Sequence, residues 1–245
     1  FVTSCTVDYF PGVIALHNSM QRVRTAYSLV CICAHSVHAW QKQLLRNRGI
    51  VVVDGPRHIQ NPYDPVWTEA FVKLEIWKWT HYDRLCWVDS DIVFLQNSDE
   101  LLSIPVPVDG IAAALDQEAW NDEKAVPEDF DSLQTGMFVI QPSLPQYEQL
   151  TRNLGFLPSY DGSDQGYVTS FFRRNRFQTT LILDSSYNYM KLGLKRDPKF
   201  DLSRIRLLHF VGKPKPWQGA DVGYDSLEAL WLAMYHHKEP DALER

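Results

Sequence analysis

The sequence has little of several features that mark common classes of protein. It contains no long basic run and carries a formal net charge of −6, so we expect no nucleic-acid partner. No apolar run approaches the ~20 residues that span a bilayer, so we expect no membrane insertion. Only four cysteines occur, and no Asn-x-Ser/Thr acceptor for N-glycosylation is present. Both observations favour a cytoplasmic location with reduced thiols.

The cysteines all lie in apolar segments that are typical of strands, at Cys5, Cys31, Cys33 and Cys86. Cys31 and Cys33 alternate along one strand face, and no second cysteine pair completes a zinc site. We therefore interpret all four as reduced residues of the core.

Apolar residues are abundant enough for a substantial core, at 45% of 245 residues, and we expect one domain over residues 1–245. Strand-like runs alternate with helical patterns, which predicts an α/β fold with a mostly parallel sheet flanked by helices. The predicted strands are 1–6, 28–33, 50–53, 85–88, 111–115, 137–141 and 205–210. The predicted helices are 11–22, 36–48, 67–77, 144–154, 165–174 and 226–237. Residues 117–131 are acidic and poorly patterned, which predicts a loop.

The most informative segment is Val88-Asp89-Ser90-Asp91-Ile92, which directly follows the short strand at 85–88. Ligands of open α/β sheets bind beyond the carboxyl ends of strands. Two neighbouring carboxylates repel each other unless a positive charge lies between them, and aspartate oxygens suit Mg²⁺ or Mn²⁺. This segment therefore predicts a metal site with positions left open for phosphates. The alternative is a loop with two solvated aspartates.

A second polar segment follows the late strand that ends near His209. Neutral imidazole is a common metal ligand, and Lys215 could neutralise a phosphate leaving group. The alternative is a surface turn with two prolines and a packed Trp217.

Polar residues with the chemistry to bind a sugar lie between these segments. Asp161, Asp164 and Gln165 open a helix and could hydrogen-bond hydroxyl groups, although a cap at the start of that helix is an equally good explanation. Lys73 lies on the helix before the aspartates, where a solvated lysine is the default. Gln134-Thr135 begins another strand and could reach a hydroxyl group.

The segments resemble glycosyltransferase family 8, and most of all its glycogenin-like branch, when they are taken in chain order: Thr6, Lys73, Asp89-Ser90-Asp91, Gln134-Thr135-Gly136, residues 161–166 and residues 209–217. The resemblance covers nearly the whole chain, from Thr6 to Trp217. It implies a GT-A fold with a single Rossmann-like sheet and a DxD metal site. It also implies a UDP-sugar donor and Mn²⁺, for which Mg²⁺ could substitute.

The resemblance further implies a role for individual residues. The residues that match the metal ligands are Asp89, Asp91 and His209. Those that match the catalytic face are Asp164, Gln165 and Lys215. Those that match the uridine pocket are Ser4, Thr6, Val7 and Phe10. The remaining UDP-sugar contacts are Lys73, Ser90, Gln134, Thr135, Asp161 and Gly212, together with Lys215.

The chain departs from the family pattern at several of these positions. Val7 and Gln134 each replace an Asn, and Phe10 replaces a Tyr whose hydroxyl is therefore lost. Glycogenin glucosylates its own tyrosine after a Tyr-Asn pair, but no tyrosine stands at the matching place after Asn188. Tyr189 lies too early. We therefore expect retaining transfer of glucose from UDP-glucose to a separate acceptor.

For the acceptor, we expect a protein-linked glycan or glycoprotein. Glycogenin-like enzymes that cap the glycan on the adaptor subunit of SCF ubiquitin ligases fit this description, and the resemblance alone implies a homodimer. Alternatives within the family are a self-glucosylating glycogenin and a UDP-galactose-dependent enzyme, either galactinol-synthase-like or an α-galactosyltransferase.

Two further alternatives come from other classes of protein. A nucleotidyltransferase needs a glycine-rich phosphate loop after the first strand, which residues 6–12 do not supply. The second alternative is a non-catalytic relative that binds sugars. The joint presence of four residues argues against it, because nothing structural requires all of Asp89, Asp91, His209 and Lys215.

Overall fold

The computed structural model describes residues 1–116, 132–173, 176–196, 201–219 and 225–237. The loop expected at 117–131 lies outside the described residues. The chain forms two compact units, each built from three segments. The first unit contains residues 1–2, 55–88 and 100–185, and the second contains residues 3–54, 89–99 and 186–245. The single domain over residues 1–245 stays a prediction.

The described strands are β1 (Val2–Cys5), β2 (Val30–Cys33), β3 (Val51–Asp54), β4 (Leu85–Val88), β5 (Ile92–Phe94), β6 (Ile111–Leu115), β7 (Leu133–Ile140), β8 (Thr180–Leu183), β9 (Tyr189–Met190) and β10 (Leu207–His209). The described α-helices are α1 (Phe10–Arg22), α2 (Ala39–Asn47), α3 (Leu144–Asn153), α4 (Asp164–Arg173), α5 (Arg176–Thr179), α6 (Lys191–Arg196) and α7 (Asp225–Tyr235).

The second unit contains a small sheet in which β10 lies between β5 and β9. β10 runs antiparallel to β5, with His209 opposite Ile92, and parallel to β9, with His209 opposite Met190. Because Ile92 directly follows Asp91, this register brings His209 beside the two aspartates. The same unit holds strands in the order β3-β2-β1, and β2 pairs with β3 in parallel from Val30 opposite Val51.

Helix α1 packs tightly behind the aspartate segment. Its second residue is Pro11, which is favoured in the first turn because its missing N–H would have no helical partner there. A Cβ at Gly12 would lie 2.3 Å from the Ser90 carbonyl oxygen, so only glycine allows this approach. Further along the helix, the Ser19 hydroxyl accepts a hydrogen bond of 2.9 Å from the Phe94 amide. Helix α1 therefore fixes the backbone on both sides of Asp91.

The first unit is built on strands in the order β4-β7-β6-β8. β7 is antiparallel to both β4 and β6, whereas β6 and β8 are parallel, and Val2 pairs in parallel with Trp87. Every residue of β4 and β7 is buried. Trp77 stacks on Phe138 with ring centroids 5.2 Å apart, and its indole N–H donates to Gln146. Alternating strands and helices confirm the predicted α/β class.

The predicted α-helix at 67–77 is instead a 3₁₀-helix over Pro65–Lys78. Phe71, Leu74 and Trp77 are buried at a spacing of three, which matches three residues per turn as well as it matches an α-helical face. Sequence spacing alone therefore does not separate the two conformations. The short strands β5, β8 and β9 were not predicted. Within the described part of the chain, no helix is long and apolar enough to cross a membrane.

Candidate active site

Asp89, Asp91 and His209 form a cluster of potential metal ligands in the second unit. One ligand atom from each lies within 4.8 Å of the others. Asp91 and His209 are buried, and Asp89 is half-buried. Two carboxylate oxygens and an imidazole nitrogen are a donor set that suits Mn²⁺, and such a set leaves coordination positions for a ligand. The residues that are present therefore fit a divalent cation.

The orientation of the His209 ring is set by Asn188. The ring Nδ1 lies 2.9 Å from the Asn188 side-chain oxygen, which can only accept a hydrogen bond. Nδ1 therefore carries the hydrogen, and Nε2 faces the Asp91 carboxylate at 3.2 Å. Partners of this kind fix the tautomer of a metal-binding histidine. Asn188 is 2% exposed and was not predicted to orient a metal ligand.

Lys215 is a buried cation next to the same cluster. Its ammonium group donates to the Asp91 carboxylate and, at 2.9 Å, to the Phe210 carbonyl oxygen. Burial raises the pKa of Asp91, but Lys215 and His209 more than offset this and hold that pKa well below its usual range. Burial lowers the pKa of Lys215, but Asp91 more than offsets it and raises that pKa. Both groups are therefore charged at neutral pH.

Of the residues predicted for the uridine pocket, Ser4 lies on β1, Thr6 and Val7 lie in the turn that follows it, and Phe10 begins α1. Ser4, Thr6 and Val7 are partly exposed, whereas Phe10 is buried. The Phe10 ring meets Trp40 edge-on at 5.7 Å, and Trp40 is 62% exposed. Phe10 is therefore covered by a second aromatic ring.

Tyr9 and Trp217 connect the segment around Lys215 to the residues just before α1. The Tyr9 ring packs edge-on against Trp217 at 5.6 Å and lies 5.7 Å from the Lys215 ammonium. The Trp217 indole N–H donates to the Asp8 carbonyl oxygen. Ser90 is buried and Gly212 is exposed, with a backbone φ of +79° at Gly212 that favours glycine.

In the first unit, Lys73, Thr135 and Asp164 form a buried polar cluster. The Lys73 ammonium lies 2.7 Å from the Asp164 carboxylate and donates to the Thr135 carbonyl oxygen at 3.2 Å. The Thr135 hydroxyl donates to the same carboxylate at 2.7 Å. Lys73 is 3% exposed, so it is not a solvated surface lysine.

Gln165 is held at both ends of its amide. Its oxygen accepts from the Thr135 amide at 3.3 Å, and its nitrogen donates to the Asp116 carboxylate at 2.7 Å. Asp116 follows β6 and is buried, but it was not predicted as a site residue. Its position directly after a strand was the available signal, because ligand sites cluster at strand ends.

Two predicted sugar contacts instead bond to their own loop or strand in this structure. The exposed Asp161 carboxylate accepts hydrogen bonds from the Ser163 amide and hydroxyl and from the Gly166 amide. These bonds support the start of α4, which is the structural alternative to sugar binding. The Gln134 side-chain oxygen accepts from the Gly136 amide at 2.9 Å. The binding roles of both residues stay predictions.

The family model described as "Glycosyl transferase family 8" matches residues 2–221. The chain belongs to glycosyltransferase family 8. Galactinol synthase 2 of Solanum lycopersicum is 25% identical to this family 8 chain over 86% of the chain and 69% of the relative. Glycogenin-1 of Caenorhabditis elegans is 29% identical over 96% of the chain and 55% of the relative. These relatives confirm the predicted glycogenin-like membership of the family.

Solved structures are similar to this family 8 chain along most of its length. The galactosyltransferase LgtC in complex with donor and acceptor sugar analogues has a TM-score of 0.70 at 12% identity, covering 98% of this chain and 96% of that one. The bifunctional glycosyltransferase WbbM has a TM-score of 0.65 at 18% identity, covering 97% of this chain and 51% of that one. These similarities confirm the GT-A fold. The chain spans about half the length of WbbM and of glycogenin-1.

Proposed function

We propose that this family 8 glycosyltransferase is a metal-dependent, retaining enzyme that uses a UDP-sugar donor, with UDP-glucose favoured. The observation that carries the proposal is the convergence of Asp89, Asp91 and His209, with ligand atoms within 4.8 Å of one another. The hydrogen bond from the Lys215 ammonium to the Asp91 carboxylate supports the proposal. A sugar diphosphate is a ligand that needs both a divalent cation and a fixed ammonium group.

We assign the metal ligands to Asp89, Asp91 and His209, and we prefer Mn²⁺ over Mg²⁺ because an imidazole is among them. When bound, the ion would neutralise charge on the departing UDP. Lys215 would donate to a phosphate oxygen during departure and so stabilise the charge that develops there. The ammonium is already in place beside the cluster, so little reorganisation is needed.

The first unit supplies the groups that we assign to the donor sugar. Asp164 is an ionised acceptor held by Lys73 and Thr135, which suits a hydrogen bond from a sugar hydroxyl. Gln165 is fixed by Thr135 and Asp116, and we assign to it the orientation of the anomeric carbon. Asp161 and Gln134 would join them after releasing their present hydrogen-bond partners.

We propose that the acceptor is a separate molecule, namely a protein-linked glycan. The tyrosine nearest to the self-glucosylation position, Tyr189, is 6% exposed and so is poorly placed to receive sugar. The glycan on the adaptor subunit of SCF ubiquitin ligases is one such acceptor, and a cytoplasmic homodimer is the setting we propose. The second candidate is a UDP-galactose-dependent enzyme acting on a small polyol. The similarity to galactinol synthases favours that candidate.

The test is release of UDP from UDP-glucose and from UDP-galactose, with Mn²⁺, with Mg²⁺ and after chelation of both. We expect metal-dependent release that is faster with UDP-glucose. Asp91→Asn should abolish it, whereas the matched change Asp83→Asn at an exposed aspartate should not. Faster release from UDP-galactose would favour the second candidate. Equal release with and without metal would contradict the metal assignment.

A further inference from the structure

Three of the four cysteines meet in the second unit, where Cys5 lies between Ser4 and Thr6 of the predicted uridine pocket. Cys31 and Cys33 lie on β2, and Cys5 lies on the neighbouring strand β1. Their sulfur atoms all lie within 4.8 Å of one another, and Cys31 Sγ and Cys33 Sγ are 3.8 Å apart. The sequence pattern predicts reduced core cysteines, because spacing along the chain does not reveal that Cys5 joins the Cys31/Cys33 pair.

We propose that Cys5, Cys31 and Cys33 form a binding site for one thiophilic divalent metal ion of the Zn²⁺ class. Around a metal with bonds to sulfur of about 2.3 Å, ligand sulfurs lie about 3.8–4.0 Å apart. The observed separation of Cys31 and Cys33 already has this value, and Cys5 needs only a small side-chain movement to join them. Thiolate ligands select soft metals over the hard cations that carboxylates prefer.

The charges around the thiols support binding of a divalent ion. Three thiolates and one divalent cation leave a charge of −1, and the Lys42 ammonium on α2, which also pairs with the Asp54 carboxylate at 2.7 Å, opposes part of it. Binding forms three metal–sulfur bonds and releases the three thiol protons to solvent.

An oxygen that could fill a fourth position is also near. The Cys5 thiol lies 3.3 Å from the Thr6 carbonyl oxygen, to which it donates a weak hydrogen bond. When Cys5 ionises on metal binding, this carbonyl loses one of its two donors and keeps the Tyr9 amide at 3.2 Å, so one lone pair becomes available to the cation. Three sulfurs and one oxygen then complete the tetrahedral arrangement that Zn²⁺ prefers. This proposal is independent of the proposed transferase activity.

The test is titration of the reduced, metal-free protein with Cd²⁺, a thiophilic probe whose thiolate complexes absorb in the ultraviolet. Carboxylate and imidazole ligands give no such band, so Asp89, Asp91 and His209 cannot produce the signal. We expect the sulfur-to-metal band to saturate at one equivalent of Cd²⁺. Cys33→Ser should weaken binding about tenfold or more. The matched control is Cys86→Ser, because Cys86 is buried and lies outside the cluster, and it should leave the titration unchanged.

A second variant keeps the test decisive if Cys33→Ser does not fold, as judged by circular dichroism. Cys31→Ala removes another ligand from the same strand and should cause the same loss of binding. Absence of the band in the folded wild-type protein would overturn the proposal. An equal band in wild type, Cys33→Ser and Cys31→Ala would overturn it as well.

Discussion

Asp91 is the residue on which the contacts of the metal cluster converge. Its carboxylate meets His209 Nε2 and the Lys215 ammonium, and its carbonyl oxygen accepts from the Phe210 amide at 2.9 Å. A buried carboxylate without such partners would be costly, because burial alone favours its neutral form. The same contacts that keep Asp91 ionised therefore prepare it as a metal ligand.

The contact between Asn188 and His209 predicts a specific defect in metal binding. In Asn188→Ala, Nδ1 loses the acceptor that fixes its tautomer, so Nε2 is no longer held ready as a ligand. We expect the Mn²⁺ concentration for half-maximal UDP release to rise about 10- to 100-fold, with turnover recovering at saturating Mn²⁺. Metal titration of the activity is the measurement. Asn47→Ala, at an exposed residue of α2, is the control, and an equal shift in that variant would refute the orienting role.

Substitution of Asp116 should cause a different defect, because Asp116 acts through Gln165. Asp116→Ala removes the acceptor of the Gln165 amide, and misplacement of a positioning group by about 1 Å can lower rates 100-fold. We expect kcat for UDP release to fall by about that factor, with little change in the Mn²⁺ requirement. Asp116→Asn keeps an acceptor oxygen and should recover much of the rate. A rate in Asp116→Asn as low as in Asp116→Ala would show that the carboxylate acts otherwise.

At the scale of elements, the 3₁₀-helix over Pro65–Lys78 and the first turn of α4 are joined by an ion pair. The Lys73 and Asp164 side chains are 3% and 7% exposed, so the pair is almost fully desolvated. Loss of one partner of a buried pair leaves the other charge uncompensated, which typically costs about 3–5 kcal/mol. The pair therefore makes the stability of the first unit depend on a residue that also belongs to the candidate site.

Lys73→Met should lower the unfolding free energy by about 3–5 kcal/mol for this reason. The same helix provides a matched control in Lys78, which pairs with Glu75 at the surface and is 40% exposed. Lys78→Met should cost at most about 1 kcal/mol, because exposed ion pairs contribute little. Denaturant titrations of both variants measure the difference. Equal stability losses in the two variants would contradict the importance of burial.

Sequence patterns predicted some of these elements more accurately than others. The strand before the aspartates was clear, because four apolar residues with strong β preference precede a polar turn. The 3₁₀-helix was mistaken for an α-helix, because a spacing of three satisfies both. The conformation of Asp161 could not be decided, because the same carboxylate can accept from its own loop or from a ligand. Asn188 was not selected, because its importance depends on a partner 21 residues away along the chain.

At the scale of the whole molecule, the family and fold were predictable because several weak motifs occur in a fixed order along the chain. Each motif alone had an ordinary structural explanation. A solvated loop or a surface turn would place no constraint on which residues occur in distant segments. The fixed order of the motifs therefore argues against most of these structural explanations. The contacts that determine which donor sugar and which acceptor bind cannot be predicted from the order of the motifs. They depend on side-chain orientations and on a partner molecule, and neither is encoded in spacing.

Burial of Tyr189 predicts that the protein does not glucosylate itself. The tyrosine nearest to the self-glucosylation position, Tyr189, belongs to the core cluster around Trp231 and is 6% exposed. A Cβ at Gly193 would lie 2.9 Å from the Tyr189 ring, so α6 also packs closely on it. Its hydroxyl group is therefore not available to a donor sugar. After incubation with UDP-glucose and Mn²⁺, we expect the intact mass to stay unchanged while UDP is released by hydrolysis. A ladder of hexose additions that disappears in Tyr189→Phe would show that this tyrosine is an acceptor after all.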